Sequence, residues 1–331
     1  MITLAHGAGG KATDDLIKKV IIPSFKIRNY NALGLDALDD GSAIKKEGGF
    51  FVFTSDSYVI KPLFFKGGDI GKLAVVGVAN DLSVMGAKPI AMHLNLILEE
   101  GLDLDVLEKI LSSIGRTAEK EGIAILGGDT KVMERGKLDQ IAISAFGIGI
   151  ASNIFTDAGV KPGDDIIVSG SVGEHEASIL IEREGVGVSK IKSDCAPLYG
   201  LVEKVLRIGG VHAMKDLTRG GLTMALNEWS EKSKVGLNIF EKNVPVSKTV
   251  RSVCKLYGFD PFNLACEGRM IIAVEPSKTK MIIKALKKTR LGRNASVIGK
   301  AFKGSDVVLN TAVGGRKFLT PFEGVMLPRI C

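Results

Sequence analysis

The segment KDLTRGGL, residues 215–222, lies at the start of a predicted helix. Its residues suggest an anion-binding helix start, and the rest of the chain is interpreted from that feature. Consecutive glycines at a helix start leave amide hydrogens available to an anion, and Arg219 adds a planar fork of donors. A second segment, ACEGRM (265–270), precedes a predicted strand and offers Glu267 as a base. Each segment alone also fits an ordinary turn or a surface carboxylate. Together they suggest a site that handles an anion.

Strands and helices alternate on both sides of this segment, which predicts two α/β domains. In the first half, residues 41–60 predict a hairpin, a small-residue helix runs from Asp69 towards Gly86, and residues 103–122 predict an amphipathic helix. In the second half we predict helices near 174–183, 195–207, 218–231 and 246–257, and strands near 236–240, 269–275, 295–301 and 305–310. The expected divisions are a segment with a short helix (1–35), a first domain (36–152), a second domain (153–320) and a tail (321–331).

The net charge of +7 is concentrated in residues 277–294, which contain no acid. The lysines there recur at helical spacing, and no stacking aromatics or groove-reading motif accompany them. This pattern predicts a solvated surface helix, so no nucleic-acid partner is expected. The first residues lack the features of a signal peptide, and the longest apolar run has about half the length that a bilayer requires. We therefore expect a cytoplasmic protein with no membrane partner.

Cysteine usage points away from disulfides and zinc. The chain has four cysteines, none in a CxxC pair and none at zinc-finger spacing with histidine. Cys195, Cys254 and Cys266 are expected to pack as small hydrophobic side chains. Cys331 differs from them, because it is the last residue and its thiol is carried by a short terminal segment.

Aspartates recur at the ends of predicted elements in the first half, in LDDGSA, TSDSY, ANDLS and GGDTK. Magnesium prefers carboxylate oxygens and is usually held by one or two of them together with phosphate oxygens. The pattern therefore fits a magnesium–nucleotide site that does not use a P-loop, although aspartate is also favoured in caps and turns. The residues concerned are Asp39, Asp40, Asp56, Asp81 and Asp129.

Taken together, the segments resemble a known family over essentially the whole chain. They are HGAGGK (6–11), LDDGSA (38–43), residues 62–89, GGDTKV (127–132), SDCAPL (193–198), DLTRGGL (216–222), CEGR (266–269) and PRIC (328–331). This set resembles the HypE family of hydrogenase maturation proteins, part of the ATP-dependent superfamily of aminoimidazole ribonucleotide synthetase and selenophosphate synthetase. The terminal PRIC is what singles out HypE. One departure is Glu174-His175-Glu176, where the family pattern leads us to expect Asp-His-Gly.

The resemblance implies a fold and an activity. The fold would be of the PurM-like α/β (α+β) type, with two domains and a flexible C-terminal tail. HypF would transfer a carbamoyl group to the sulfur of Cys331, and the chain would use ATP and Mg²⁺ to dehydrate the product to a thiocyanate. The cyanide would then pass to iron on the HypC–HypD complex, for the active site of a NiFe hydrogenase. The resemblance also implies a homodimer joined through the sheets of the first domain.

Roles for individual residues follow from the same resemblance. Cys331 would be the carrier, and Glu267 and Lys131 would assist deprotonation. The metal candidates are Asp39, Asp56, Asp81 and Asp129. The other nucleotide-binding candidates are Asp40, Asn80, Asp216, Arg219, Gly220 and Gly221.

The tail must move in this scheme. An extended chain from Pro321 to Cys331 reaches roughly 35 Å, and Pro328 disfavours helix before it. We expect the tail to enter the cleft for dehydration and to swing out to meet its partners. Two alternatives remain: a selenophosphate synthetase-like or thiamine-phosphate kinase-like enzyme, and a non-enzymatic protein whose tail is a docking peptide. No cysteine precedes Cys195, whereas a selenium-handling enzyme would carry its reactive residue near the N-terminus.

Overall fold

A computed structural model describes residues 1–7, 9–185, 190–321 and 329–331. The first domain is built on a five-stranded sheet of order β1-β2-β7-β5-β6, with a separate two-stranded pair, β3-β4. Its strands are β1 (Ser42–Lys46), β2 (Gly49–Tyr58), β3 (Phe64–Phe65), β4 (Gly68–Asp69), β5 (Lys88–Glu99), β6 (Ala124–Met133) and β7 (Ile141–Ala151). The helices are α1 (Lys11–Leu16), α2 (Ile70–Val84) and α3 (Leu104–Glu121).

Helix α2 forms the centre of this domain. Asp69 caps it by accepting a hydrogen bond from the Lys72 amide at 3.0 Å, and nearly every residue of the helix is buried. Its small side chains allow it to pack closely against the sheet, as the sequence predicts. The predicted hairpin is also confirmed, since β1 and β2 pair antiparallel from Ser42 opposite Phe53 to Lys46 opposite Gly49.

The second domain contains a seven-stranded sheet of order β14-β13-β10-β12-β8-β11-β9. Its strands are β8 (Asp165–Val168), β9 (Val211–Asp216), β10 (Gly236–Phe240), β11 (Met270–Val274), β12 (Ser296–Phe302), β13 (Val307–Asn310) and β14 (Arg316–Phe318). Its helices are α4 (Glu174–Arg183), α5 (Tyr199–Ile208), α6 (Gly221–Ser233), α7 (Lys248–Tyr257) and α8 (Pro276–Lys287).

The basic stretch lies on α8, where Ile282 and Leu286 are buried and Lys280 and Lys284 are exposed. The predicted surface helix is therefore confirmed. Among the described residues, no helix combines the length and apolar character needed to span a bilayer.

Three local expectations differ from the structure. The stretch TDDLIKKVII (13–22) predicts a helix capped by Thr13, but helix α1 is capped by Gly10, and Thr13 lies inside it and accepts a hydrogen bond from the Gly9 amide at 3.0 Å. Helix α5 begins later than expected, because the Leu198 amide is held by the side chain of Asn80 at 2.8 Å. Strand β9 was not predicted, although it pairs with β11 and ends at Asp216.

Candidate functional site

A cleft of about 300 Å³ lies where the two domains meet. The first domain contributes four carboxylates and the hydroxyl-rich end of β2, and the second domain contributes a base candidate and a guanidinium. The lining residues include Asp39, Asp40, Thr54, Asp56, Tyr58, Gly77, Asp81, Thr218, Arg219, Glu267 and the terminal Cys331. Seven of the sequence-predicted site residues are therefore in one place, whereas Tyr58, Thr54 and Thr218 were not predicted.

Strand β2 and helix α2 place two of these carboxylates. The Tyr58 hydroxyl donates to Asp56 Oδ2 at 3.2 Å, and the Thr54 hydroxyl donates to Asp81 Oδ2 at 2.9 Å. Gly77 makes room for this arrangement, because a β-carbon there would lie 2.1 Å from the Tyr58 oxygen. A residue larger than glycine would therefore displace Tyr58 from the floor of the cleft.

The cleft concentrates negative charge away from water. Burial raises the pKa of Asp81 well above its ordinary value, and the nearby charges of Asp56 and Asp216 raise it further. Burial likewise raises the pKa of Glu267, with Asp216 as the next cause and Arg219 opposing the rise. Such a site disfavours having all its carboxylates ionised at once, so a bound cation would stabilise it.

Two buried oxygens, one in the cleft lining and one at the end of strand β9, test whether a cation fits. Asp216 Oδ2 and Glu267 Oε1 are buried without a hydrogen-bond partner in the described part of the chain. Buried acceptors of this kind fit a hard cation. No three acidic, histidine or cysteine side chains among the described residues are already arranged as a metal site. A magnesium ion would therefore fit here together with phosphate oxygens rather than in an all-protein cage.

The backbone around Glu267 is held from both domains. Its amide donates to Asp194 Oδ1 at 3.0 Å, and the Asn80 side chain donates to its carbonyl at 3.2 Å. Asn80 is buried and also donates to the Ala196 carbonyl at 3.3 Å. Gly268 is needed beside it, since a β-carbon would lie 2.0 Å from the Asp194 carbonyl. The structure thus places Asn80 behind the cleft, where its amide positions Glu267.

The chain terminus lies in the same cleft. The Val59 amide donates to the Cys331 main-chain oxygen at 3.2 Å, and the Lys61 amide donates to the Arg329 carbonyl at 3.3 Å. Burial raises the pKa of the Cys331 thiol to about 12, with the Glu267 charge adding to the rise and Arg219 opposing it. The resting thiol is therefore neutral at physiological pH. Pro328 lies outside the described residues.

Asp39 and Asp40 make a different set of contacts from the one expected. Lys215 Nζ lies 2.5 Å from Asp40 Oδ1 and 3.1 Å from Asp157 Oδ2. Lys232 Nζ lies 3.2 Å from Asp39 Oδ1 and also contacts Asp157, at 2.6 Å. Burial raises the pKa of Asp40 to about 7 despite the opposing charge of Lys215. The metal candidate Asp39 and the nucleotide-binding candidate Asp40 are therefore already paired with lysines that were not predicted.

The two glycines of the opening motif act mainly through their backbone. Gly220 has φ +83° and Gly221 has φ +59°, in the left-handed region that favours glycine. The Gly221 amide donates to the Thr218 carbonyl at 2.9 Å, so its hydrogen is used within the turn and not for an anion. The turn presents Arg219, whose Nη1 donates to the Gly7 carbonyl at 2.6 Å.

Asp129 and Lys131 are not brought to the cleft within a single chain. They lie on the exposed edge strand β6, and Lys131 Nζ contacts Asp129 Oδ2 at 3.1 Å. A residue that was given no role, His175, is buried beside the chain terminus, and its Nε2 lies 2.7 Å from the Ile330 carbonyl oxygen. In the sequence, attention came to His175 only through its neighbours Glu174 and Glu176, which differ from the expected Asp-His-Gly.

Comparison with known proteins defines the class. The model of the AIR synthase related protein N-terminal domain matches residues 38–151, and that of its C-terminal domain matches residues 161–311. The chain is therefore a two-domain protein of the AIR synthase related class.

Full-length relatives narrow this class to one family. The carbamoyl dehydratase HypE of Escherichia coli is 40% identical over 100% of this chain and 99% of its own. The crystal structure of a HypE–HypF complex superposes with a TM-score of 0.87 at 36% identity, covering 93% of this chain and 99% of that one. A HypE structure in complex with ATP gives a TM-score of 0.83 at 37% identity and covers both chains completely. The chain belongs to the HypE family.

Proposed function

We propose that this chain matures NiFe hydrogenases by ATP-dependent dehydration of a carboxamide carried on the Cys331 sulfur. The observation that carries the proposal is the position of the last residue. The Cys331 thiol lines the same acidic cleft as Glu267 and Arg219. A docking peptide without catalysis would not need its terminal thiol beside a buried carboxylate whose pKa is raised.

The proposed reaction converts R–S–C(=O)NH₂ and ATP into R–S–C≡N, ADP and phosphate. The amide oxygen attacks the γ-phosphate, which turns a poor leaving group into a good one. The nitrogen then loses its two protons while the C–O bond breaks and phosphate departs. Glu267 would accept a proton; this is supported by its buried Oε1, which has no hydrogen-bond partner among the described residues. Arg219 stands beside it to stabilise negative charge.

ATP and Mg²⁺ are proposed for this cleft, with support from the ATP complex of the HypE relative. Asp56 and Asp81 are the best metal candidates, since Asp39 and Asp40 are occupied by Lys232 and Lys215. Magnesium, when bound, would supply neutralisation of the phosphate charge. Asp216, with its unpartnered oxygen, lies at the end of β9 and would complete the polar surroundings.

HypF is the proposed carbamoyl donor, and the HypE–HypF complex of a relative supports it. The docked thiol has its pKa raised to about 12, so it is a poor nucleophile in the cleft. Carbamoylation therefore belongs to an extended tail that meets HypF outside the cleft. Cyanide transfer to HypC–HypD would need the same extension, and we place all these steps in the cytoplasm.

A homodimer through β6 is proposed as well. This edge strand is exposed along its whole length, including Leu126 at 66% and Val132 at 68% exposure. An exposed apolar edge is a template for pairing with another strand. Pairing here would join two first-domain sheets and would bring Asp129 and Lys131 of both chains to the shared interface.

Mass spectrometry of the C-terminal peptide tests the proposal. With active HypF, carbamoyl phosphate and ATP, the peptide should gain one carboxamide and then lose one water. Cys331→Ala should abolish both changes while nucleotide binding and folding persist. An unmodified peptide would instead favour a selenophosphate synthetase-like activity or a docking tail.

A further inference from the structure

The last three residues occupy a docking site made by both domains. The stretch 59–61, which follows β2, pairs with the tail main chain through the Val59 and Lys61 amides. Helix α4 of the second domain closes the other side with His175. Ile330 is 5% exposed, so its side chain is buried as an apolar anchor. The tail is therefore held through its backbone as well as through one side chain.

The chemistry of the His175 contact fixes its direction. A carbonyl oxygen can only accept, so His175 Nε2–H donates to Ile330 O across 2.7 Å. In the neutral ring Nδ1 is then the acceptor, and the Ser193 hydroxyl lies 2.8 Å from it. The Cys195 amide donates to the same Ser193 oxygen at 3.1 Å, which fixes the hydroxyl. One tautomer satisfies every group.

Packing holds the ring in this orientation. His175 is fully buried, and Phe65 stands edge-on to it with ring centroids 5.6 Å apart at 84°. Burial lowers the pKa of His175, which keeps the ring neutral. Arg183, at the end of α4, adds a hydrogen bond to the Arg329 carbonyl. His175 contacts the Ile330 carbonyl and is not among the residues that line the cleft, so its contribution comes through the tail.

We propose that His175 is a positioning residue that seats the C-terminal tail by donating Nε2–H to the Ile330 carbonyl. This inference rests on the proposed function for its consequence: a seated tail places the modified sulfur beside Glu267, and a released tail presents the thiol to HypF. Removing the donor shifts the tail towards the released state. Dehydration then slows, whereas carbamoylation does not.

Two substitutions separate the donor from the rest of the ring. In His175→Gln the amide nitrogen takes the place of Nε2 and keeps the donor. In His175→Asn the shorter amide reaches only the Ser193 side. The Cys331 thiol serves as the reporter of tail release. The other three cysteines, Cys195, Cys254 and Cys266, are free thiols buried in the protein. The rate at which iodoacetamide alkylates Cys331, measured on the C-terminal peptide of the intact chain, reports how often the tail is released.

We expect H175N to alkylate at Cys331 about tenfold faster than wild type, and H175Q to stay near the wild-type rate. Single-turnover dehydration should fall about tenfold or more in H175N and recover in H175Q, with carbamoylation by HypF unimpaired in both. Equal alkylation rates in wild type and H175N would overturn the inference. A loss of carbamoylation together with dehydration would also overturn it, as that points to a general structural role.

If these variants fail to fold, the His175–Ile330 contact can be tested by NMR on protein that keeps His175. In ¹⁵N-histidine-labelled protein, deleting residues 329–331 should shift the His175 Nε2 resonance while leaving that of His212. An unshifted Nε2 resonance would contradict the contact. Absence of thiocyanate in the wild type with active HypF would count against the proposed function alone, because the alkylation rates and the resonance do not depend on that reaction.

Discussion

Lys215 of β9 and Asp40 of the first domain are joined by an ion pair of 2.5 Å, which links the two domains at the edge of the cleft. Lys215 also contacts Asp157 at 3.1 Å and Glu228 at 3.0 Å, and its side chain is 9% exposed. Three carboxylates thus contact one buried ammonium group, and Asp157 also contacts Lys232. Burial alone would lower the pKa of Lys215, but these carboxylates raise it well above its usual range.

Lys215→Met should destabilise the fold by about 3–5 kcal/mol, because it leaves the buried Asp40 carboxylate without the ammonium group with which it pairs. The measurement is the free energy of unfolding in urea. Lys18→Met is the matched control, since Lys18 pairs with Asp14 and Glu231 on the surface. Its loss should cost no more than about 1 kcal/mol. Equal costs for the two variants would contradict a special role for the buried pair.

Asp81→Asn should stabilise the nucleotide-free protein at pH 8 more than at pH 5. The pKa of Asp81 is raised in the folded chain, so between its ordinary and raised values the folded state binds the proton more than the unfolded state does. The free energy of unfolding therefore falls as pH rises through that window. The asparagine side chain does not ionise, so the variant lacks this loss of stability, and its amide oxygen can still accept the hydrogen bond from the Thr54 hydroxyl.

Thermal unfolding at the two pH values measures this effect. Asp306→Asn, at an exposed position, is the control and should change the melting temperature equally at both. The same Asp81→Asn variant should lose dehydration, since the carboxylate is proposed for the metal. If Asp81→Asn changes the melting temperature equally at both pH values, the raised pKa of Asp81 is not what destabilises the folded state.

Much of the fold could be predicted from periodicity, since helices α2, α3 and α8 each present a pattern that local sequence determines. Helix α3 begins after Asp103 and ends at Gly122, which has φ +69°. Strand β9 was not predicted because it is only six residues long and ends in the charged residues Lys215 and Asp216. Only the neighbouring strand and the cleft carboxylates explain why they are buried.

The residue types of the site could be predicted from the sequence, but the contacts between its residues were harder to predict. Glu267, Arg219 and Cys331 do meet, although they lie far apart in the chain. The pairing of Asp40 with Lys215 depends on how two domains pack, and no local pattern encodes it. The contact of His175 with the tail is likewise set by tertiary structure, since 155 residues separate it from Ile330.

Val132→Glu should convert the proposed dimer to a monomer. Val132 is 68% exposed on the edge strand β6. In the variant, pairing β6 of two chains would bring two buried glutamate charges together. Sedimentation equilibrium measures the mass. Val313→Glu, at a position with 95% exposure outside that sheet, is the control and should leave the mass unchanged. A dimer that survives Val132→Glu would place the interface elsewhere.

Glu267→Gln should accept the carboxamide from HypF and dehydrate it about 100-fold or more slowly than wild type, because a general base has been removed. The pKa of Glu267 is raised by burial and by neighbouring carboxylates. A base must be ionised to act, so the wild-type rate should rise with pH through a value well above that of an ordinary glutamate. The variant should lack this rise.

Rapid-quench assays of the thiocarboxamide form between pH 5 and pH 9 give both the rate and its pH dependence. Glu203→Gln is the matched control, because that side chain pairs only with Arg207 on the surface of α5 among the contacts described. If Glu267→Gln keeps both the rate and its rise with pH, the base is another group. Lys131 would then be the next residue to substitute, and its effect would have to disappear in a monomeric Val132→Glu chain.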